Sequence, residues 1–352
     1  SMRATIVTHT LHDREKAVKH AAVALVVKWC ATLDYKVPKL LQLMNVGTNQ
    51  EVVQMVGNTL IGVVENPAEY NVRATAELRD VVRHAAPKWE EGVGAVSPAD
   101  VLWAHLRCEY ARKNFQTAVA EEVLESLIPD TVVLCQLLGE AHKQPSVYTK
   151  KSSQMTARYL LRMTQFMDGA DVSGGQELGK VCEAMLIDVR FPDKVVDEVL
   201  DAWARGLGKT DPQTIFEAIT ALSEKFAAIL ETTDEDELEQ NEGALEVMKA
   251  TRGLQLVHWA LGKSINDRSA TTQLNEAFGP FALEALQSTA PEMRMLAVQC
   301  LGMMGLANEE ICGDHRDIIF QVAFHDLEAP VIRDTALKCL ADMAAVHPNK
   351  FT

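Results

Sequence analysis

The 352-residue sequence lacks features that mark several large classes of protein. Glycine (19 residues) and proline (12 residues) are scarce, which disfavours many short strands with tight turns and favours long helices. No run of about 18 uncharged apolar residues occurs, and this excludes a membrane-spanning helix. The composition therefore predicts a helical protein whose apolar residues, 47% of the chain, form a large core.

Metal-site and redox motifs are also missing. The seven cysteines are scattered without a Cys-x-x-Cys pair, which excludes a zinc ribbon or a thioredoxin-like site. We interpret them as reduced, buried side chains of a cytosolic or nuclear protein. His105 with Cys108, and Cys312 with His315, each place two possible ligands on one helix face, but a metal ion needs three or four ligands. Ordinary packing is the favoured interpretation of both pairs, and no cofactor is predicted.

A short segment resembles the end of a phosphate-binding loop, Gly206-Leu207-Gly208-Lys209-Thr210. The full motif requires a glycine where Trp203 stands, and it follows a strand, whereas the pattern of residues 195–204 predicts a helix. The glycines are better explained as the end of that helix. With no Gly-x-Ser-x-Gly elbow either, we predict that the chain is not an enzyme.

The negative charge is confined to one half of the sequence. The net charge is −15, yet residues 1–175 carry 19 basic and 19 acidic side chains, whereas residues 176–352 carry 15 and 30. A surface that is basic throughout, as for general nucleic-acid binding, is therefore excluded. A local basic stripe is compatible with these totals because charges are screened beyond about 8–10 Å.

Residues 141–167 carry five basic side chains and no acidic one. The predicted DNA-binding candidates are Lys143, Lys150, Lys151, Arg158 and Arg162. A weaker basic cluster, diluted by Glu109, consists of Arg107, Arg112 and Lys113. Such stripes attract phosphates because each contact releases condensed counterions.

The basic candidates are expected on one helix. Ser152 or Ser153 is predicted to cap a helix that runs to Met167. The spacing then places Lys151, Arg158 and Arg162 on one face. A solvated face, or a face that meets an acidic partner, is the alternative interpretation.

An internal repeat of 39 residues indicates the fold. Seven of fifteen positions from Ala290 are identical 39 residues later: Ala290/Ala329, Pro291/Pro330, Arg294/Arg333, Ala297/Ala336, Cys300/Cys339, Leu301/Leu340 and Met304/Met343. The prolines fit a first helical turn, the small alanine allows a neighbouring helix to approach, and the arginine can bond an adjacent turn. This pattern is typical of the second helix of a HEAT repeat.

We therefore predict an all-α fold, a HEAT-repeat α-solenoid in which stacked helix pairs form a right-handed superhelix. Helical periodicity resumes after each loop, so one solenoid domain is expected over 2–350. Residues 231–243 contain seven acidic side chains and are predicted to be a disordered insertion within it.

The sequence resembles the condensin G subunit family (CAP-G, non-SMC condensin subunit 3). The C-terminal segments that carry the resemblance are Phe278-Gly279-Pro280-Phe281-Ala282-Leu283, Gln287-Ser288, Cys300-Leu301-Gly302, Leu306-Ala307-Asn308-Glu309-Glu310, Leu340-Ala341-Asp342-Met343 and His347-Pro348. Earlier segments in the family's order are Ser97-Pro98-Ala99-Asp100-Val101-Leu102-Trp103, Arg107-Cys108-Glu109-Tyr110 and Leu127-Ile128-Pro129-Asp130. The resemblance covers most of 97–350.

The resemblance implies a non-catalytic scaffold subunit of condensin that acts in mitotic chromosome condensation. It implies a kleisin segment held in the solenoid groove, double-stranded DNA bound without sequence specificity, ATP hydrolysis by the SMC subunits, and location in the nucleus on chromosomes. Members of that family are much longer than this chain, so a part of a longer protein is expected. The alternative is a HEAT-repeat adaptor for peptide or protein cargo, in transport or phosphatase assembly, without DNA binding.

Overall fold

The structure, a computed structural model, describes residues 2–46, 49–209, 211–230 and 242–351. Within these ranges the chain forms α-helices and short 3-10 turns and no β-strand. The chain divides into two compact units, 1–181 and 182–352. The predicted all-α solenoid of HEAT-like repeats is confirmed as the fold class, while a single domain over 2–350 stays a prediction.

The helices of the first unit range from four to 17 residues in length. Its helices are α1 (Met2–Thr10), α2 (Lys16–Ala31), α3 (Val37–Leu43), α4 (Gln50–Glu65), α5 (Pro67–Tyr70), α6 (Ala76–His84), α7 (Pro98–Asn114), α8 (Thr117–Leu127), α9 (Thr131–Lys143), α10 (Pro145–Thr149), α11 (Lys151–Met163) and α12 (Val172–Ile187), which continues into the second unit.

Helix α7 is the centre of the first unit. It packs against α3, α4, α8 and α11, and most of its side chains are buried. Its start is fixed by a capping box, in which the Ser97 hydroxyl accepts from the Asp100 amide and Asp100 accepts from the Ser97 amide at 2.9 Å. Pro98 occupies the first turn, where a missing N–H costs little. The preceding segment is held down by Trp89, whose indole donates to the Leu127 carbonyl at 3.0 Å.

The second unit contains the longest helices. They are α13 (Val196–Gly206), α14 (Pro212–Leu230), α15 (Glu242–Ser264), α16 (Arg268–Ala285), α17 (Pro291–Ala307), α18 (Glu309–Phe324) and α19 (Pro330–Val346). Helices α15, α17 and α19 pack side by side, and α17 also contacts α16 and α18. This alternation of neighbours is the helix-pair stacking expected of HEAT-like repeats.

The 39-residue repeat corresponds to helices α17 and α19. Pro291 and Pro330 both lie in the first turn of their helices, as predicted. Arg294 forms an ion pair with Glu328, whose carboxylate lies in the turn before α19. The two repeat helices approach closely at a glycine: a Cβ on Gly302 would lie 2.6 Å from Cys339 Sγ, so only glycine leaves room for that side chain.

One face of α19 lacks the cover that its counterpart on α17 has. Val298 and Gly302 are buried, and Gly302 lies directly beneath α19. Their equivalents 39 residues later are Leu337, which is 46% exposed, and Ala341, which is also exposed. The equivalent faces of the two repeat helices therefore differ: the face on α17 is covered by α19, whereas the face on α19 is exposed.

The acidic insertion predicted over 231–243 lies outside the described residues from 231 to 241, and its last two residues begin α15. None of the described helices is both long and apolar enough to cross a membrane.

Candidate nucleic-acid interface

The lysines among the predicted DNA-binding residues lie at the two helix ends that meet near α10. Lys143 is the last residue of α9, Lys150 occupies the N-cap position of α11, and Lys151 is the first residue of α11. All three are exposed. Among the residues that the structure describes, no carboxylate lies within ion-pair distance of these lysines. Their charges are therefore available to a ligand.

The start of α11 differs from the sequence prediction. Lys150 takes the N-cap position without a capping side chain, so the expected cap by Ser152 or Ser153 is wrong. Both serines lie in the first turn instead, and the Ser153 hydroxyl donates to Ser146 Oγ at 2.9 Å. The helix ends at Met163, and a 3-10 turn continues it to Phe166, close to the predicted end.

Helix α11 places the remaining candidates in line with Lys151. Arg158 and Arg162 follow it by seven and eleven residues, which sets them on one face over roughly 16 Å of helix axis. Both arginines are half-buried. The Arg162 guanidinium lies 5.9 Å from the centre of the Tyr159 ring. The aliphatic stems are therefore packed on the helix, which fixes the direction of the charged groups.

The structure brings two members of the weaker cluster to the same place. Arg112 and Lys113, exposed at the end of α7, lie beside the end of α11. Arg112 stacks 5.0 Å from the centre of the Phe166 ring and donates to the Gln165 carbonyl at 3.0 Å. Two clusters that are far apart in sequence thus join into one surface, which we call the basic stripe. Its members are Arg112, Lys113, Lys143, Lys150, Lys151, Arg158 and Arg162.

A neutral histidine lies beneath this surface. His105 is buried in α7 and forms a 3.0 Å hydrogen bond with the Gln165 side chain through Nε2. Burial, together with the nearby charges of Arg162 and Lys113, lowers the pKa of His105 to about 4. It therefore adds no charge at neutral pH to the field of the neighbouring arginines and lysines.

Arg107, the third member of the weaker cluster, lies outside the basic stripe. Its side chain is 4% exposed, and its guanidinium donates to the carbonyls of Arg83 (2.7 Å) and Ala85 at the end of α6. Burial lowers the pKa of Arg107 to about 10. It closes the end of a neighbouring helix and is not available to a phosphate.

A groove of about 480 Å³ lies between α4, α6, α7 and α8 in the same unit. Apolar side chains form its walls: Ile61, Val82, Tyr110, Phe115, Val119 and Val123. Val119 is exposed, and the rings of Tyr110 and Phe115 meet edge to face at 5.8 Å between centres. An apolar groove with charged residues at its rim suits an extended peptide. The sequence did not reveal it, because these residues share no single helix face.

The other motifs have structural roles. Residues 206–208 end α13, and Gly208 has a φ of +64°, so the phosphate-loop resemblance reduces to a helix terminus, as predicted. His105, Cys108, Cys312 and His315 are buried, and the described residues contain no group of three metal-ligating side chains. All seven cysteines are free thiols; six are buried and one is half-buried.

Comparisons with known proteins agree on one family. Residues 252–352 match the family described as nuclear condensing complex subunits, C-terminal domain. Human condensin complex subunit 3 is 20% identical, in an alignment that covers 97% of this chain and 40% of that protein. The chain thus spans about two fifths of the length of this relative. Both findings confirm the resemblance to the condensin G subunit family.

Two solved structures of engineered proteins from the Northeast Structural Genomics Consortium also align. They are 13% and 9% identical, cover 99% of this chain and 90% and 98% of their own chains, and give TM-scores of 0.31 and 0.27. Scores at this level carry no argument about function.

Proposed function

We propose that this chain, which is similar to condensin subunit 3, is a non-catalytic scaffold subunit of a condensin complex that helps to hold double-stranded DNA. The observation that carries the proposal is the basic stripe: Lys151, Arg158 and Arg162 follow one face of α11, and Arg112 stacks on Phe166 just beyond the end of that helix, in a chain whose net charge is −15. Contacts of this kind go to the phosphate backbone and are independent of sequence.

The partners follow from the same proposal. A kleisin segment would occupy the apolar groove, and the SMC subunits would supply ATP hydrolysis, so the scaffold itself needs no cofactor. Its place of action would be the nucleus, on chromosomes during mitosis. Similarity to a condensin subunit and the size of the groove support these assignments.

The test of DNA binding is a charge reversal on the lysines of the basic stripe. In the kleisin-bound complex, the triple variant Lys143→Glu, Lys150→Glu and Lys151→Glu should bind duplex DNA at least roughly tenfold more weakly. The slope of log K against log salt should fall by about 3 in magnitude, one for each lost contact. These side chains are exposed, so folding should be unaffected.

A matched control comes from the same unit. Lys28, Lys36 and Lys39 are also exposed and lie away from α11 in sequence, on or beside α2 and α3. Changing all three to glutamate alters the net charge by the same amount, yet should leave the salt slope nearly unchanged. Equal slopes for the two triple variants would contradict the assignment of the DNA surface.

A peptide adaptor without DNA binding is the second candidate, and the apolar groove is the observation that favours it. Val119→Asp places a charge on the exposed wall of the groove. Under the condensin proposal it should weaken capture of a kleisin peptide while the chain keeps its affinity for DNA. If the unaltered complex binds peptide but no duplex at low salt, the adaptor interpretation is the correct one.

A further inference from the structure

Two serines at the start of α11 follow two lysines, and neither has the capping role that the sequence predicted. Ser152 is exposed, and Ser153 is half-buried. Together with Gln144 and Thr156 they line a cavity of about 200 Å³. The hydroxyl of Ser153 donates to Ser146 Oγ at 2.9 Å. The site therefore has space beside a serine hydroxyl, bordered by side chains that can donate hydrogen bonds.

The residues before Ser153 match the charge pattern that one class of protein kinases recognises in its substrates. Kinases with an acidic substrate groove select serines that have basic residues two and three positions earlier, by charge complementarity. Lys150 and Lys151 stand at these positions relative to Ser153, and residues 141–167 contain no acidic side chain that would oppose such a groove. Ser152 has the same lysines one and two positions earlier, which is the less favourable register.

The first turn of α11 can open to reach such a groove. Its N-cap position is Lys150, whose side chain makes no capping hydrogen bond, and the preceding α10 is only five residues long. Uncapped first turns lack partners for their amides and fray at little cost. Local opening would present residues 149–154 as an extended segment while the rest of the unit stays folded.

We propose that Ser153 is a phosphorylation site for a kinase directed by basic residues, and that its phosphate releases the basic stripe from DNA. The second part rests on the proposed function. In the reaction, Ser153 Oγ forms a bond to the γ-phosphorus of ATP, and the bond from that phosphorus to the β–γ bridging oxygen breaks. ADP leaves, and the hydroxyl proton passes to a base of the kinase.

The modified residue fits the helix and reduces the local positive charge. A phosphoserine near a helix N-terminus is stabilised by the unpaired amides and the helix dipole, so α11 stays intact. Its charge of roughly −2 offsets two of the three lysine charges around it. Binding of duplex DNA should then fall by about tenfold, and the salt slope by about 2 in magnitude.

The first arm of the experiment measures phosphate alone. The complete chain is incubated with ATP and the catalytic subunit of cAMP-dependent protein kinase, a basic-directed kinase used as the probe, and phosphopeptides are identified by mass spectrometry. Phosphate on Ser153 that is lost in Ser153→Ala and retained in Ser152→Ala supports the proposal. Phosphate confined to Ser152, or absent from the 141–167 peptide, overturns it. Ser126, an exposed serine preceded by glutamate, is the internal control and should stay unmodified.

The second arm measures DNA binding by the kleisin-bound complex before and after modification. Weaker binding after phosphorylation, with no change in Ser153→Ala treated in the same way, supports the switch. Equal binding by modified and unmodified complexes overturns the switch. If Ser153 is modified but the unmodified complex binds no DNA, the modification site stands, whereas the switch and the proposed function both fail.

Discussion

At the scale of single residues, buried arginines close the ends of neighbouring helices. Arg252 in α15 is 0% exposed and donates to the carbonyls of Leu186 (2.9 Å), in the last turn of α12, and Phe191 (2.7 Å), beyond the end of that helix. Arg107 does the same at the end of α6. One guanidinium, with five donors, can satisfy several carbonyls that a helix end leaves unpaired. These arginines are therefore structural, although charge counting treats them as surface residues.

Replacing Arg252 should be costly because its carbonyl partners stay buried. For Arg252→Met, we expect the free energy of unfolding to fall by about 3 kcal/mol, measured by urea titration. Arg190→Met is the control, since Arg190 is exposed and its side chain pairs with the nearby Asp188. If Arg252→Met lowers the free energy of unfolding by less than about 1 kcal/mol, water satisfies the buried carbonyls in place of the guanidinium.

His105 should make stability depend on pH. Its pKa is about 4 in the fold and 6.5 as a free side chain, so the unfolded chain binds the proton more readily. This contribution is therefore complete above about pH 6.5 and is lost as the pH falls towards 4, by roughly 3 kcal/mol in total. His105→Gln should lose less stability than the unaltered chain between pH 7 and pH 4.5, in paired urea titrations. If the free energy of unfolding changes in parallel with pH for the two proteins, His105 is not the cause of the pH dependence.

At the scale of elements, glycines set how closely the repeat helices pack. A Cβ at Gly302 in α17 would lie 2.6 Å from the sulfur and 2.8 Å from the Cβ of Cys339. The chain also contains a matched helical glycine, Gly313 in α18, with nothing within 4 Å of the same position. The two positions separate packing from the intrinsic helix preference of alanine.

We expect opposite signs for alanine at these two glycines. Gly302→Ala should lower the free energy of unfolding by about 1–3 kcal/mol, because α17 and α19 must move apart. Gly313→Ala should raise it by roughly 0.5–1 kcal/mol, since alanine loses less conformational freedom in a helix. Thermal unfolding followed by circular dichroism measures both. If both substitutions raise the free energy of unfolding, α19 moves away from α17 at little energetic cost.

The helices were predictable from the sequence because their signals are local. The 39-residue spacing and the prolines at 291 and 330 identified α17 and α19. The cap of α11 was not predicted correctly: Ser152 is a good cap residue in general, but the N-cap position here is Lys150, two residues earlier. The depth of Arg107 and the meeting of Arg112 with α11 depend on how helices pack, which a charge pattern does not encode.

At the scale of the whole molecule, stability and ligand binding depend more on where the charges lie along the chain than on the net charge. Fifteen excess negative charges repel one another and oppose the compact state, mostly through the second half of the sequence. The basic stripe lies in the other half. Salt should therefore act in opposite directions on folding and on the proposed DNA binding.

Salt should raise the thermal midpoint although it should weaken the proposed DNA binding. From about 20 mM to about 200 mM NaCl, screening should raise the midpoint by roughly 2–4 °C. The triple variant Glu217→Gln, Glu224→Gln and Glu284→Gln, at exposed sites of the second unit, should show a smaller rise. A midpoint that is flat or falls with salt would indicate that self-repulsion is unimportant in this chain.

The exposed face of α19 shows how a repeat protein of this kind can lengthen during evolution. The block from Pro291 to Ala329 begins and ends at equivalent backbone positions, because Pro330 follows Ala329 as Pro291 follows Ala290. An in-frame gene duplication of this block would insert one more helix pair. Its two packing faces would match those of the helices on either side. Lengthening by whole units of 39 residues thus keeps the prolines and the packing faces of successive helices in register.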